Sequence, residues 1–270
     1  MSKILITGGT GLVGKHLQEI LPNAVYLSSK DCDLTDINKL KWLISSHIPD
    51  IVVHLAARVG GIQDNIKYPA DYFDDNILIN TNIVKVCKEY NVKRFIGILS
   101  TCIYPSVVKN YPMKEEDLFI GPPPPSNFSY GYAKRCLAVQ IDAYNKQFGT
   151  KYNYLIPCNL YGDYDNMHDE SKMHFITALL NKIRNSKDKA LHLLGTGKPL
   201  RQFMYAGDLA DIIKLVIDND ITESFNVAPD FNYSIDDMAK MALKATGNNY
   251  KIIYDKPELD GQYRKDVSNK

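Results

Sequence analysis

The sequence holds no Cys-x-x-Cys pair, and its five cysteines are odd in number. That pattern argues against a zinc site or a disulfide framework and favours a reducing compartment. Net charge is nearly absent as well: 32 lysines and arginines stand against 31 acids. Such a balance speaks against nucleic acid or an anionic membrane as main partner, although local basic clusters can still hold a small anion. No stretch approaches the roughly 20 apolar residues of a membrane helix. The opening Met1-Ser2-Lys3 enters a short apolar run without the flanks or length of a secretory leader. No repeat of roughly 20–50 residues is visible. The expected location is the cytoplasm, with no metal site.

What is present is a 45% hydrophobic content over 270 residues. That suffices for one large α/β unit or two closely joined domains. Compact apolar runs at residues 4–6, 24–27, 51–55 and 95–99 read as strands, the last two as strands buried on both faces. Helical spacing follows the first run from Leu12 to Leu21. It recurs over 35–46, with Thr35 placed as N-cap, and over 71–90 and 128–148. The run Gly121-Pro122-Pro123-Pro124-Pro125-Ser126 is a stiff loop leading into the last of these. The alternation predicts an α/β fold: a Rossmann-type doubly wound parallel sheet with a smaller C-terminal α/β substrate lobe. Residues 1–165, with a returning segment at about 200–228, form the cofactor domain. Residues 166–199 and 229–270 form the smaller lobe, with helices over 173–183 and 234–245 and a strand over 191–194. A further helix, over 208–217, belongs to the returning segment.

Thr7-Gly8-Gly9-Thr10-Gly11-Leu12-Val13-Gly14 lies between the first strand and the first helix. Gly9, Gly11 and Gly14 satisfy G-x-G-x-x-G, and Gly8, Gly11 and Gly14 its one-residue-longer variant. Glycine allows a tight turn and close approach to a pyrophosphate, and the helix start offers free N–H groups. An ordinary Gly-rich βα turn is the plain alternative. The second strand ends Ser28-Ser29-Lys30 with Asp31 beyond. Lys30 and the serines favour the 2′-phosphate of NADP, whereas Asp31 favours NAD. Asp33, before Leu34, is placed to accept from an adenine amino group or to start the next helix.

Tyr130 and Lys134 form Y-x-x-x-K, a spacing that puts both on one helical face. A nearby ammonium lowers a phenol's pKa towards neutrality and suits it to proton transfer at a carbonyl or alcohol oxygen. Leu99-Ser100-Thr101-Cys102-Ile103-Tyr104-Pro105 follows the buried 95–99 strand at the edge where open α/β sheets bind ligands. If the extended conformation continues, Ser100 and Cys102 point to one side. A strand-end hydroxyl and a small buried hydrophobe are the plain alternatives.

Together these residues resemble the extended short-chain dehydrogenase/reductase family. Within it the chain is similar to the branch of epimerase-reductases that turn GDP-4-keto-6-deoxy-D-mannose into GDP-L-fucose. The likeness is carried by Ala56-Ala57-Arg58-Val59-Gly60-Gly61-Ile62, by 100–105, by Pro157-Cys158-Asn159-Leu160-Tyr161-Gly162, by Asp165-Asn166, by His174, by 195–201 and by 260–265. The resemblance implies NADPH as cofactor, held by the glycine loop with Lys30, Asp33, Leu34, Leu55, Ala56, Ala57, Leu99, Lys134, Pro157, Asn159, Leu160 and His174. It implies catalysis by Ser100, Tyr130 and Lys134, with Cys102 and His174 exchanging protons beside the ketone. It implies a GDP-sugar site of Asn159, Lys182, Leu194, Arg201, Asp260 and Lys265, and a homodimer through helices 71–90 and 128–148. By its residues alone His174 is one histidine on a helix, and Lys182 reads equally as a solvent-facing lysine. The planar guanidinium of Arg201 suits paired phosphate oxygens better.

Three positions depart from that pattern. Leu194 stands where an aromatic is common before Gly195, and Pro124 where a histidine is common. The chain also stops at Lys270 where several dozen more residues are expected, which implies a reduced C-terminal lobe of lower stability. Two other readings keep the fold: a reductase or epimerase on another nucleotide-linked ketosugar such as a GDP-heptose, and a cofactor-binding protein without turnover. A dehydratase is disfavoured because Thr101-Cys102 replaces the Asp-Glu pair that chemistry wants beside the serine.

Overall fold

The computed structural model describes residues 2–167 and 173–269. In chain order its regular elements begin with β1 (Ile4–Thr7), α1 (Leu12–Ile20), β2 (Val25–Leu27), α2 (Ile37–His47), β3 (Ile51–His54), α3 (Ile62–Lys67), α4 (Pro69–Glu89) and β4 (Arg94–Ile98). Next come α5 (Phe128–Phe148), β5 (Lys151–Pro157), β6 (Asn159–Tyr161), α6 (Phe175–Asn185), β7 (Ala190–Leu194), β8 (Leu200–Arg201) and β9 (Phe203–Tyr205). The last are α7 (Ala206–Asp218), β10 (Phe225–Val227), β11 (Tyr233–Ser234), α8 (Ile235–Ala245) and β12 (Lys251–Asp255).

Six strands make one parallel sheet in the order β10-β5-β4-β3-β1-β2. Successive side chains of a strand leave opposite faces, so the paired residues Leu5/Ile6, Val52/Val53 and Phe95/Ile96 split between two cores. Leu5, Val52 and Phe95 meet Leu40 and Ile44 of α2, Ile83 of α4 and Leu137 of α5. Ile6, Val53 and Ile96 meet Leu17 of α1 and Leu209 and Ile213 of α7. Helices on both faces are what lets these strands be apolar throughout. A third cluster, of Leu179, Ile183, Leu191, Leu193, Ala239 and Leu243, joins α6 and α8 to the parallel pair β7–β12.

The chain order reverses at β1, which lies between β2 and β3. Ligands of such sheets sit outside the carboxyl ends of the strands at that switch point. Those ends are Thr7, His54, Ile98 and Pro157, and the loops they feed carry nearly all the chemistry read from the sequence. A concavity of about 440 Å³ lined by Lys88, Lys93, Phe148 and Lys151 opens at the opposite edge. There α4 and α5 end, so helix C-termini oppose an anionic ligand.

Two local expectations need correction. Thr35 does not cap α2: Asp36 does, accepting from the amides of Asn38 and Lys39 at 3.0 and 3.3 Å. Thr35 instead donates its hydroxyl to Asp33 at 2.7 Å. Nor does the backbone stay extended past Ser100, because residues 101–103 turn into a 3₁₀ helix. Ser100 caps that turn, its Oγ accepting from the Cys102 amide at 3.3 Å, so the turn rather than strand alternation brings the two residues together.

Candidate active site

The glycine loop is built for an anion. Gly8 sits at φ +70°, and a Cβ there would lie 2.8 Å from the Ala56 nitrogen. Gly14 is in α1, yet a Cβ on it would meet Gly8 O and Gly9 C at 2.6 Å. Only a bare Cα lets the helix start press this close to the turn. No side chain caps α1 at Gly11, so the first amide donors of the helix are free for phosphate oxygens. Residues and backbone fit a dinucleotide pyrophosphate there. Leu12 and Val13 supply amides, while Thr10 is exposed at the loop's tip.

The second-strand end is engaged with itself. Asp31 accepts from the Ser28 amide and hydroxyl at 2.8 and 2.6 Å, which turns its carboxylate away from a ribose. Lys30 is exposed. Asp33 holds the Thr35 amide and hydroxyl in the loop ahead of α2, which Asp36 caps. The Leu34 side chain is buried in the core, so only its backbone faces the edge.

A buried chain of hydrogen bonds ties this loop to α5. Thr7 Oγ1 lies 2.8 Å from His54 Nδ1, and His54 Nε2 lies 3.1 Å from Asn80 Oδ1. Asn80 Nδ2 donates to Ala133 O at 3.2 Å. Since Asn80 Oδ1 only accepts, His54 carries its proton on Nε2, and its Nδ1 accepts from Thr7. Burial, and then the neighbouring Lys134, pull His54 down to about 3, so it is neutral. Leu55, Ala56 and Ala57 continue from His54 beside the glycine loop.

Lys134 is 2% exposed and donates to Ile98 O at 2.9 Å. Burial lowers its ammonium to about 8. Tyr130, one turn earlier, packs edge-on against Tyr72, ring centroids 6.4 Å apart. Here the sequence reading is corrected. Burial pushes the Tyr130 phenol above its usual range rather than towards neutrality, with Cys102 and Tyr72 adding to the effect. The lysine is turned to the Ile98 carbonyl, and burial decides the direction for the phenol. The phenol is thus held protonated, the form a proton donor needs.

Cys102 is half-buried. Burial pushes its thiol up, but the Lys265 ammonium and hydrogen bonds with Ser100 and Asn127 outweigh that and leave it below the ordinary range. Lys265 Nζ is 3.1 Å from the sulfur. His174, just before α6, bonds Asp165 through Nδ1 at 2.7 Å, and its amide donates to the same carboxylate at 3.2 Å. Asp165 is buried, its carboxyl held low by His174 and Thr177 against the effect of burial. The pair is a base–orienter arrangement that leaves Nε2 for other contacts.

The remaining residues scatter more. Pro157 closes β5, and Asn159 of β6 donates to Gln202 O at 2.9 Å, with Leu160 beside it. Arg201 on β8 donates to its neighbour's carbonyl at Leu200 and lies within the electrostatic reach of Cys102 and Asp260. Asp260 clamps Thr196, accepting from its amide at 2.6 Å and its hydroxyl at 2.5 Å. Lys182 is exposed and donates to His192 O at 2.9 Å, and Leu194 is exposed at the end of β7. Leu99 is buried behind Ser100.

Asn127 escaped the sequence reading, although a polar residue three positions before Tyr130 at a helix start was the available signal. It hydrogen-bonds the Cys102 sulfur, and its Oδ1 is buried without a protein partner among the described residues. Asp165 and Tyr72 had no stated role either.

Residues 4–228 match the model of the NAD dependent epimerase/dehydratase family. The chain belongs to that family. A GDP-L-fucose synthase of Dictyostelium discoideum is 40% identical over 98% of this chain and 86% of its own length. Among solved structures, a GDP-L-fucose synthetase from Naegleria fowleri bound to NADP is 34% identical, with a TM-score of 0.88 over 99% of this chain and 84% of that one. A GDP-6-OMe-4-keto-L-xylo-heptose reductase from C. jejuni is 26% identical, with a TM-score of 0.91 over 99% and 90%. Among the described residues no helix is long and apolar enough to cross a membrane, and no cluster could hold a metal ion.

Proposed function

We propose that this chain is an NADPH-dependent 3,5-epimerase/4-reductase that converts GDP-4-keto-6-deoxy-D-mannose to GDP-L-fucose. The observation that carries the reading is the thiol of Cys102, with the Lys265 ammonium 3.1 Å from its sulfur, set beside Ser100 at the carboxyl edge of β4, on the same edge as the glycine loop. A plain reductase needs a hydroxyl and a phenol there, not a reactive thiol. The names of the D. discoideum and N. fowleri relatives support the same product and, for the second, the cofactor.

Each group then has a task. Protons beside a ketone are acidic because the enolate is stabilised, and hydroxyls of Ser100 and Tyr130 act as its oxyanion donors. Cys102 takes a proton from one face: the C–H bond breaks, S–H forms and the electron pair enters the enolate. His174, oriented by Asp165, returns a proton to carbon from the other face, which inverts the centre. A bound nicotinamide would supply hydride chemistry at C4, and Tyr130 would give the proton that completes the alcohol. Lys134 would hold the cofactor's ribose. Arg201 binds the diphosphate, and residues 166–199 and 229–270 form the sugar lobe. Lys30 and the serines receive the 2′-phosphate. Five cysteines without a disulfide between them fit the cytoplasm.

Incubation with NADPH and GDP-4-keto-6-deoxy-D-mannose, followed by NMR of the product, tests this. Stoichiometric NADPH oxidation with L-fucose configuration is the expected result. Oxidation without inversion selects a GDP-heptose or other ketosugar reductase, a reading favoured by the C. jejuni likeness. We also assign a homodimer through α4 and α5, which pack side by side and expose Leu78 and Val139. Sedimentation at micromolar protein checks it, and a monomer contradicts it.

A further inference from the structure

Lys265 lies 163 positions from Cys102, yet its Nζ stands 3.1 Å from the sulfur. The backbone around it is fixed on both sides. Arg264 pairs with the buried Asp266 through two bonds, at 2.5 and 2.8 Å. Val267, 2% exposed, exchanges hydrogen bonds with Gln202 at 2.9 and 3.1 Å. The amides of Met113 and Ser268 close the strap, donating to Asp266 O at 2.9 Å and to Met113 O at 2.7 Å. Among the described residues no carboxylate pairs with Lys265, so its charge is directed to the sulfur.

We propose that Lys265 is a positioning residue for the Cys102 base, its ammonium serving as counter-ion of the sulfur rather than as a clamp on the substrate diphosphate. This rests on the reading of Cys102 as a proton-transfer group. An ammonium at this distance favours thiolate over thiol, and thiolate is the form that removes a proton from carbon. The other groups facing the sulfur are Arg201 from β8, Tyr130 from α5, and the neutral Ser100 and Asn127. Among the described residues only Lys265 of the cations makes direct contact. When Cys102 takes the substrate proton, Lys265 keeps all of its own. It loses its anion partner as the enolate oxygen gains charge, so no proton is lost to solvent.

The first measurement needs no sugar. The full chain is alkylated with iodoacetamide across pH, and the Cys102 peptide is followed by mass spectrometry in wild type, Lys265→Met and Lys265→Arg. Lys265→Met should raise the midpoint by about one pH unit and slow alkylation near neutrality about tenfold, because the thiolate fraction falls by that factor. Lys265→Arg should recover most of the rate. An unchanged profile in a Lys265→Met protein that still binds NADPH overturns the proposal, as does a variant whose defect is confined to the KM of the GDP-sugar. Should Lys265→Met fail to fold, Lys265→Gln gives the same comparison. If the profile shifts but the wild type does not turn over the ketosugar, the pairing stands and the substrate reading fails.

Discussion

Replacing Lys134 by methionine should abolish catalysis while leaving the protein as stable as before, or more so. Burial takes the ammonium from its ordinary 10.5 to about 8. A shift of roughly 2.5 units corresponds to about 3 kcal/mol of destabilisation whenever both states carry the proton. Between about pH 8 and 10.5 the unfolded chain binds more protons than the fold, so stability rises with pH in that window. Below about pH 8 the whole penalty is present. Methionine keeps the stem's packing and removes the penalty, but it strips the Ile98 carbonyl of its donor. An orphaned buried acceptor costs about 1–3 kcal/mol. The net change near neutrality is therefore between about zero and a gain of 2 kcal/mol, or a melting point unchanged or a few degrees higher. Urea unfolding at about pH 7.5 and 9.5 separates the terms: between them wild type should gain about 2 kcal/mol on the variant. Turnover should fall at least about a hundredfold. Parallel pH dependences for the two proteins would refute the claim that this buried charge is held at a cost for function.

Gly14→Ala improves helix propensity by about 1 kcal/mol, but its Cβ meets loop backbone at 2.6 Å, a clash costing about 1–3 kcal/mol. The clash wins, and fluorescence titration should show NADPH affinity down at least about tenfold. Asp165→Asn leaves His174 without its carboxylate partner. It should lower kcat roughly tenfold to a hundredfold with NADPH affinity unchanged in the same titration. On acidification wild type should lose stability relative to His54→Gln, because burial holds the imidazole at about 3. Below about pH 6.5 the unfolded chain binds a proton the fold rejects, at about 1.4 kcal/mol per pH unit. Acid unfolding curves of equal slope would contradict that.

The parts of this site that depend on local pattern could be read from residues alone. The glycine loop, the apolar strands and the helix over 128–148 each follow from short-range periodicity, and they place Tyr130 and Lys134 on one face. What depends on packing was hidden. The charge state of Tyr130 is set by its burial, with Cys102 and Tyr72, which approach from other elements, adding to the effect. The turn after Ser100 is a capping event that an extended reading misses. Lys265 meets Cys102 only because the strap over 264–268 is tied to Gln202 and Met113. Strands of two or three residues such as β6, β8, β9 and β11 carry too little pattern to be seen. Lys182, read equally as a substrate contact and as a solvent-facing lysine, is exposed and donates to the His192 carbonyl.

The most direct check of the central claim is a single turnover with GDP-4-keto-6-deoxy-D-mannose and NADPH in D2O. The account predicts GDP-L-fucose carrying solvent deuterium at C3 and C5 and protium from NADPH at C4, with deuterium uptake suppressed in Cys102→Ser. A reduced product without deuterium at either carbon, or an unaltered pattern in Cys102→Ser, would contradict it.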